Sequence, residues 1–302
     1  MKRLGLFLPV AAGVMWGSVG IFVRKLTDFG MDGVTVLESK MSATAIILFI
    51  SIFIYKREWL RISLKDIWLF VCSGLAGMML LNLCYNEAVT RLTLSFAAVL
   101  LSLSPIFVIL IAAAVFRERV TRRKILCTLM AILGCFLVSG VLETDGGRVT
   151  LPGIVIGLLA ALFYALYSIF SKAAMKKGYN VFTITCYSSM VVALVLIPVA
   201  DWEMIGAFSM EAPSSNVTLM IMHALFTAIL PYVFYTAAFT YTDTGKASIL
   251  AAGGEPAAAM VFGLLFFGER PTVLSCIGLV VTIVALAFIC RPEKKDKAES
   301  RV

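Results

Sequence analysis

The chain has 302 residues, of which 61% are hydrophobic and only 15% are charged, and its formal net charge is +8. Soluble globular proteins usually contain about half apolar and about a quarter charged residues. The composition therefore excludes an ordinary soluble protein and indicates an integral membrane protein.

Long apolar blocks follow one another along the chain without the alternation typical of β-strands. A bilayer core about 30 Å thick needs roughly 20 apolar helical residues to cross it. The blocks predict an all-α integral membrane protein with ten transmembrane helices, named helix 1 to helix 10, and short connections. The predicted spans are residues 4–23, 34–54, 67–87, 95–115, 123–141, 153–171, 181–199, 217–239, 247–267 and 273–290.

The first span follows Lys2 and Arg3, an arrangement that also begins secretory signals. Its apolar run continues to Val23 without a clear cleavage site, so we expect helix 1 to be retained. The longest connection, residues 201–216, is too short for a soluble domain.

The basic residues are distributed unevenly across the predicted membrane. Of the 26 lysines and arginines, 20 fall on the side of the N-terminus, 5 fall on the other side, and Lys40 lies inside helix 2. Cytoplasmic loops carry the excess of Lys and Arg, so both termini are predicted to be cytoplasmic in a multi-pass protein of the plasma (inner) membrane. The positive charge indicates topology and contact with lipid headgroups, and no nucleic-acid partner is expected.

Two stretches of the chain resemble each other. Residues 102–119 read SLSPIFVILIAAAVFRER and residues 253–270 read GGEPAAAMVFGLLFFGER, with a proline and a glutamate thirteen positions apart in both. Aligning the halves also pairs Trp16 with Tyr164 and Tyr85 with Tyr235. Each half then holds five helices, and an odd number makes the second copy enter the membrane from the opposite side. Inverted repeats of this kind are a transporter architecture with the binding site between the repeats.

The two five-helix repeats, each with a proline in its fourth helix (Pro105 and Pro256) and a glutamate after it (Glu118 and Glu269), resemble the EamA family of the drug/metabolite transporter superfamily. The resemblance implies two inverted five-helix repeats and a transport function. Repeat 1 is expected at residues 4–141, repeat 2 at 153–290 and a basic cytoplasmic tail at 291–302. Two positions depart from the family pattern: Arg117 stands where Gly precedes the Glu in the second copy, and Lys40 stands near the place of a frequent Arg.

Glu255 is the sharpest candidate for a functional residue. It lies near the middle of helix 9, where an ionised side chain costs about 2.5–3.5 kcal/mol, and Pro256 leaves a backbone carbonyl one turn back without its donor. We expect Glu255 to bind substrate or to carry a coupling proton. The alternative is a protonated carboxyl group that bonds a neighbouring helix.

Other polar and aromatic residues fall at matching places in the two halves and could line one cavity, where rings could hold an amine. Plain packing is the alternative for each ring, and snorkelling to the interface is the alternative for the lysine. Glu38, two positions before Lys40, is a weaker candidate. The predicted substrate-binding residues beside Glu255 are Trp16, Lys40, Asn82, Tyr85, Asn86, Tyr164, Tyr167, Tyr232 and Tyr235.

Three further predictions concern single residues and spacings. His223, the only histidine, could relay protons or be a structural residue. Glu118 and Glu269 are expected to open the helices after their loops, where a carboxylate complements the helix dipole. The small-xxx-small spacing Gly13–Gly17 favours close helix contact.

These features predict a secondary-active transporter of a small polar organic metabolite, an amino acid or another amine-bearing compound, working as an exporter by alternating access. The chain has no ATP-binding motif, no convergent nucleophile and base, and no C-x-x-C among its seven cysteines. We therefore expect no enzymatic activity, metal or cofactor. The expected partners are the substrate, the lipid bilayer and protons, and the expected state is a monomer or homodimer. The alternative is an integral-membrane structural or enzyme subunit without transport activity.

Overall fold

The computed structural model describes residues 4–92, 94–138, 142, 150–267 and 272–290. All regular structure in these ranges is helical. Eight helices are long and apolar enough to cross a membrane, and two shorter ones coincide with the remaining predicted spans. The ten helices are α1 (Leu4–Asp28), α2 (Gly33–Tyr55), α3 (Leu64–Ala88), α4 (Ala97–Phe116), α5 (Arg122–Val138), α6 (Leu151–Lys176), α7 (Val181–Leu196), α8 (Pro213–Ala238), α9 (Thr244–Phe267) and α10 (Val273–Cys290).

The first helix differs from its prediction in two respects. It is interrupted at Ser18, whose hydroxyl bonds the carbonyl of Met15 at 2.7 Å, and it continues to Asp28 instead of ending near residue 23. Arg24 and Lys25, expected in a loop, therefore lie on the last turns of this helix. A hydroxyl that bonds a local carbonyl competes with the regular helical ladder, which accounts for the interruption.

The connection at residues 201–216 is also more regular than expected. It contains a short helix, Trp202–Glu211, whose first turn is capped by the side chain of Asp201. Ile205 and Phe208 of this helix are buried against Leu26 and Met31. An apolar face on a connecting segment explains why the chain orders there.

Two helices contain π-helical turns in the middle of their spans. In α3 the π segment is Ser73–Leu80 and in α8 it is Leu225–Ile229. π-Helical turns are rare and are concentrated at functional sites. Both segments come shortly before residues singled out as site candidates, Asn82 in α3 and Tyr232 in α8.

The helices pack around a core to which most of them contribute. α1 packs on α8 and α9, and α6 packs on α3 and α4. α2 packs against α7, α4 against α9 and α5 against α10. The main cluster of buried side chains includes Met41, Met78, Tyr167 and Tyr235, so the core lies where α2, α3, α6 and α8 meet.

Close approach of α5 and α10 depends on two glycines. A Cβ at Gly134 would lie 2.1 Å from the hydroxyl of Thr282, and one at Gly278 would lie 2.6 Å from the carbonyl oxygen of Gly134. Neither position has room for a side chain. Small residues thus set the spacing of this pair, as in other membrane helix pairs.

Candidate functional site

Glu255 is the twelfth of the 24 residues of α9, midway along the helix. Its side chain is half-buried although it lies among packed helices, and it makes no hydrogen bond or ion pair with any residue that the structure describes. The carbonyl of Ala252, which loses its donor to Pro256, faces the thiol of Cys135 of α5 at 3.9 Å. The middle of α9 therefore presents an unpartnered carboxylate beside a weakly satisfied carbonyl.

The backbone at Glu255 is held by α1. A Cβ on Gly13 would lie 3.1 Å from the amide nitrogen of Glu255, and one on Gly17 would lie 2.6 Å from its carbonyl oxygen. The predicted Gly13–Gly17 spacing thus brings two glycines directly against this residue. Because α1 approaches so closely, its backbone holds the backbone of Glu255 in place.

Trp16 lies between these two glycines in the sequence and contacts an aromatic cluster on α6 and α8. Its ring centroid is 5.8 Å from that of Tyr164, 5.4 Å from Tyr232 and 5.5 Å from Tyr235. Tyr167 completes the cluster, with its ring 4.8 Å from that of Tyr232. The structure thus brings together all five aromatic candidates from helices 1, 6 and 8.

The hydroxyl groups of two tyrosines in this cluster have partners inside the protein. Tyr167 bonds Thr236 and Tyr235 bonds Ser168, both at 2.8 Å. Ser168 and Thr236 were not singled out from the sequence, since a serine or threonine in a membrane helix is common. The buried hydroxyl of Tyr164 lies beside that of Tyr235 without a hydrogen bond of regular geometry to any described residue.

Glu255 lies close enough to this cluster for its charge to act on tyrosine hydroxyl groups. The carboxylate interacts with the hydroxyl groups of Tyr85, Tyr164 and Tyr232. Trp16 and Tyr85 are both half-buried, whereas Tyr167 and Tyr235 are almost fully buried. Trp16, Tyr85 and Glu255 therefore offer accessible surface within the helix bundle, and the other rings support them.

The two asparagines predicted on one polar face of α3, Asn82 and Asn86, lie in different surroundings in the structure. The amide of Asn82 donates to the carbonyl of Met78 at 2.7 Å and lies beside the hydroxyl of Tyr232. Asn86 is exposed, and its side-chain nitrogen would be 2.9 Å from a Cβ on Gly33. Asn82 thus belongs with the aromatic cluster, and Asn86 lies at the start of α2.

Lys40 and His223 form a second polar group between α2 and α8. Lys40 is 7% exposed and makes no hydrogen bond or salt bridge in the described part of the chain. His223 is 1% exposed, both its ring nitrogens lack hydrogen-bond partners among the described residues, and its ring stacks on Phe22 at 5.5 Å. The two side chains interact electrostatically. Lys40 is thus buried among the helices, an arrangement that differs from a lysine that snorkels to the interface.

Glu38 is more deeply placed than expected. It is 0% exposed, its Oε1 accepts a hydrogen bond from Ser42, and its Oε2 has no partner in the part of the chain that the structure describes. The spacing Glu38–Ser42 is one helical turn and could have indicated this contact. Glu38 faces away from Lys40, because residues two apart lie on different faces of a helix.

The prediction that Glu118 opens the helix after its own loop was wrong. Residues 117–120 are not helical, and the carboxylate of Glu118 caps α9 instead of the helix that follows its own loop. It accepts bonds from the amide and hydroxyl of Thr244 at 3.1 and 2.6 Å and from the amide of Gly245 at 3.4 Å. Glu269 lies outside the described residues.

Comparison with known proteins gives two matches along the chain to one family. A model described as the EamA-like transporter family matches residues 3–140 and residues 151–291. A crystal structure of another protein has a similar fold, with a TM-score of 0.75 over 95% of this chain and 96% of that one at 14% identity. The membrane helices and their arrangement therefore follow a known fold.

Several relatives are transporters by name. The chain is 26% identical over 290 residues to the pseudopaline exporter CntI of Pseudomonas aeruginosa, across 91% of this chain and 97% of that protein. It is 27% identical over 229 residues to the uncharacterized transporter YdfC of Bacillus subtilis, across 75% and 72%. An uncharacterized transporter of Clostridium kluyveri is 25% identical over 302 residues, across 98% and 95%.

Proposed function

Because the chain belongs to the EamA-like transporter family, we propose that it is a secondary transporter that moves a small polar organic metabolite by alternating access. We take the substrate to be an amino acid or another amine-bearing compound. The direction is export, in line with the name of one relative, the pseudopaline exporter.

The proposed architecture is ten transmembrane helices in two inverted repeats, α1–α5 and α6–α10. The packing supports it, because exchanging the halves exchanges equivalent contacts. α1 packs on α8 and α9, while α6 packs on α3 and α4, and the pairs α2–α7, α4–α9 and α5–α10 map onto themselves. Inverted repeats can alternate access by rocking around a site at their interface.

The observation that carries the substrate class is the unpartnered carboxylate of Glu255. A charged group inside a membrane bundle is costly unless it is paired, and no cation among the described residues pairs with Glu255. A substrate ammonium would fill this role, and the half-buried ring of Trp16 beside it could hold the same cation by its π face. The cluster of Tyr164, Tyr167, Tyr232 and Tyr235 shapes the wall behind that ring.

Lys40 is the proposed contact for an acidic group of the same substrate. Asn82, Tyr85 and Asn86 are proposed as further substrate contacts. Protons are the proposed coupling ion, carried by Glu255 or His223. Neither group has a hydrogen-bond partner among the described residues of the bundle, and unpaired ionisable groups inside a membrane bundle are typical of proton-carrying residues in transporters.

The proposed location is the plasma (inner) membrane with both termini in the cytoplasm. The asymmetry of 20 basic residues against 5 supports this orientation. In this orientation the connections α2–α3, α4–α5, α6–α7 and α8–α9 are cytoplasmic.

The function is tested by reconstituting the purified protein alone in liposomes and measuring flux of a radiolabelled panel. The panel contains amino acids, amines lacking a carboxyl group, and carboxylic acids lacking an amine. We expect flux of amine-bearing members above that of protein-free liposomes. If no member moves in any gradient, the protein is instead a structural or enzyme subunit of the membrane.

A further inference from the structure

Glu118 joins the two halves of the chain at one end of the bundle. It lies in the α4–α5 connection, and its carboxylate receives all three of its hydrogen bonds from Thr244 and Gly245 at the start of α9. A carboxylate at this place is stabilised by the free amide groups and the positive end of the helix dipole. Hydrogen bonds to an ionised group are stronger than neutral ones, so this is a strong contact between the repeats.

The backbone before Glu118 is shaped for this contact. Arg117 has φ = 56°, a left-handed conformation that a residue other than glycine rarely adopts. Arg117 ends α4, so this turn directs the chain, and with it Glu118, towards α9. The turn is closed by the amides of Arg117 and Glu118, which both donate to the carbonyl of Ala112.

A salt bridge supports the contact from the neighbouring helix. The ammonium of Lys124, near the start of α5, lies 2.8 Å from the carboxylate of Asp243 and also donates to the carbonyl of Arg119 at 2.8 Å. Lys124 is almost buried. Asp243 in turn accepts a bond from the amide of Lys246. Both sides of the α4–α5 connection are thus tied to the start of α9.

Other helices close the same end of the bundle. Lys172 of α6 donates to the carbonyl of Phe239, at the end of α8, at 2.6 Å. Lys176 of α6 lies 4.3 Å from the centre of the Phe116 ring at the end of α4. The ends of α4, α6, α8 and α9 are therefore drawn together on the side predicted to be cytoplasmic.

We propose that Glu118 is a latch that holds this end of the transporter closed and that its release from Thr244 accompanies opening towards the cytoplasm. The inference rests on the proposed function, since a latch is needed only where access alternates. Its mechanical link to the site is α9 itself: Thr244 and Glu255 are eleven residues apart, or about 16 Å along one continuous helix. Glu118 is thus a positioning residue that acts on Glu255 through this helix.

The test uses a reporter cysteine at Ser248, one turn after Thr244 and fully buried. Ser248→Cys is introduced into a cysteine-free variant, and the rate of maleimide labelling of the purified protein is measured with and without Glu118→Gln. The amide oxygen can still accept from Thr244, but the NH2 group cannot accept from the amide of Gly245, and the negative charge is lost. We expect labelling to become roughly tenfold faster, the change that corresponds to a loss of about 1.4 kcal/mol.

Three controls make the result specific. A cysteine at exposed Lys65 should label at one rate in both backgrounds. Glu203→Gln, which removes a carboxylate from the first turn of another helix, should leave labelling of Ser248→Cys unchanged. Thr244→Val removes one donor and should accelerate labelling less than Glu118→Gln, and the double variant should not exceed Glu118→Gln alone.

The proposal is overturned if Glu118→Gln lowers the melting temperature but leaves the labelling rate as it was, because Glu118 is then a helix cap only. Should Glu118→Gln not fold, the Thr244→Val rate decides in the same way. Labelling needs no substrate, so the latch is tested separately from transport. Absence of flux in the unmodified protein would contradict the proposed function, whereas unchanged labelling would contradict the latch.

Discussion

Gly13 of α1 lies so close to Ala251 of α9 that a Cβ on Gly13 would be 2.2 Å from the carbonyl oxygen of Ala251. One turn later, Gly17 meets the carbonyl of Glu255 in the same manner. Two helices that touch through backbone atoms cannot shift against each other without losing this fit. α1 and α9 therefore behave as one unit around the candidate site.

Gly13→Ala should separate these helices and destabilise the protein by about 1–3 kcal/mol, because overpacking outweighs the higher helix propensity of alanine. Flux should fall as well, since Glu255 moves with α9. Thermal unfolding in detergent and flux per folded molecule measure the two effects. Gly20→Ala is the matched control: nothing lies within 4 Å of its added Cβ, so it should be neutral or stabilising. Equal behaviour of the two variants would contradict the packing argument.

Tyr235→Phe should cost about 1 kcal/mol of stability and leave flux per folded molecule nearly unchanged. The hydroxyl of Tyr235 is bonded to Ser168 at 2.8 Å, and its removal strands a buried hydroxyl while the ring keeps its contacts. Adding Ser168→Ala should recover part of the loss. A large fall in flux without a change in melting temperature would mean that the hydroxyl group contacts substrate.

Glu255→Gln keeps the size of the side chain and loses its charge. If the carboxylate pairs with a substrate ammonium, apparent affinity should fall roughly tenfold. If it carries the coupling proton, pH-dependent accumulation should disappear while counterflow exchange remains. Glu211→Gln, at an exposed site outside the bundle, is the control. Wild-type affinity together with wild-type pH dependence would show that the charge of Glu255 has no role in transport, and Lys40 would become the first candidate.

Single cysteines on a cysteine-free background test the orientation in intact cells. An impermeant maleimide should fail to reach positions 61 and 296, which are predicted to be cytoplasmic, and should label position 206. Position 206 lies in the short helix Trp202–Glu211, on a glycine with no atom near its Cβ direction, so the substitution should be tolerated. Labelling at 296 from outside would refute both the orientation and the inverted repeat.

The membrane helices could be predicted from the sequence because the length of an apolar run reports the thickness of the bilayer. Each predicted span overlaps a helix of the described structure, with the largest errors at the ends of α1 and α6. The break at Ser18 was not predictable in this way, since one local hydroxyl bond leaves no trace in hydropathy. The π-helical turns were not predicted either, because they leave the hydropathy of the span unchanged.

The members of the aromatic cluster were predictable from the sequence, whereas their contacts were not. Pairing the halves indicated Trp16 and the tyrosines as a set, and these residues do form one cluster. Which hydroxyl groups are satisfied depends on Ser168 and Thr236, which no spacing singles out. Glu118 and Thr244 are 126 residues apart, and only the folded chain brings them together.

The π-helical segments Ser73–Leu80 and Leu225–Ile229 make residue number as important as residue identity in α3 and α8. Because a π-helical turn holds one residue more than an α-helical turn, deleting one residue within either segment would restore α-helical pitch and leave the later side chains on the same face. Deleting one residue from the regular helix just after either segment would instead turn every later side chain by about 100° relative to those before it. In α3 such a deletion would carry Tyr85 away from Glu255, although Tyr85 itself had not been replaced.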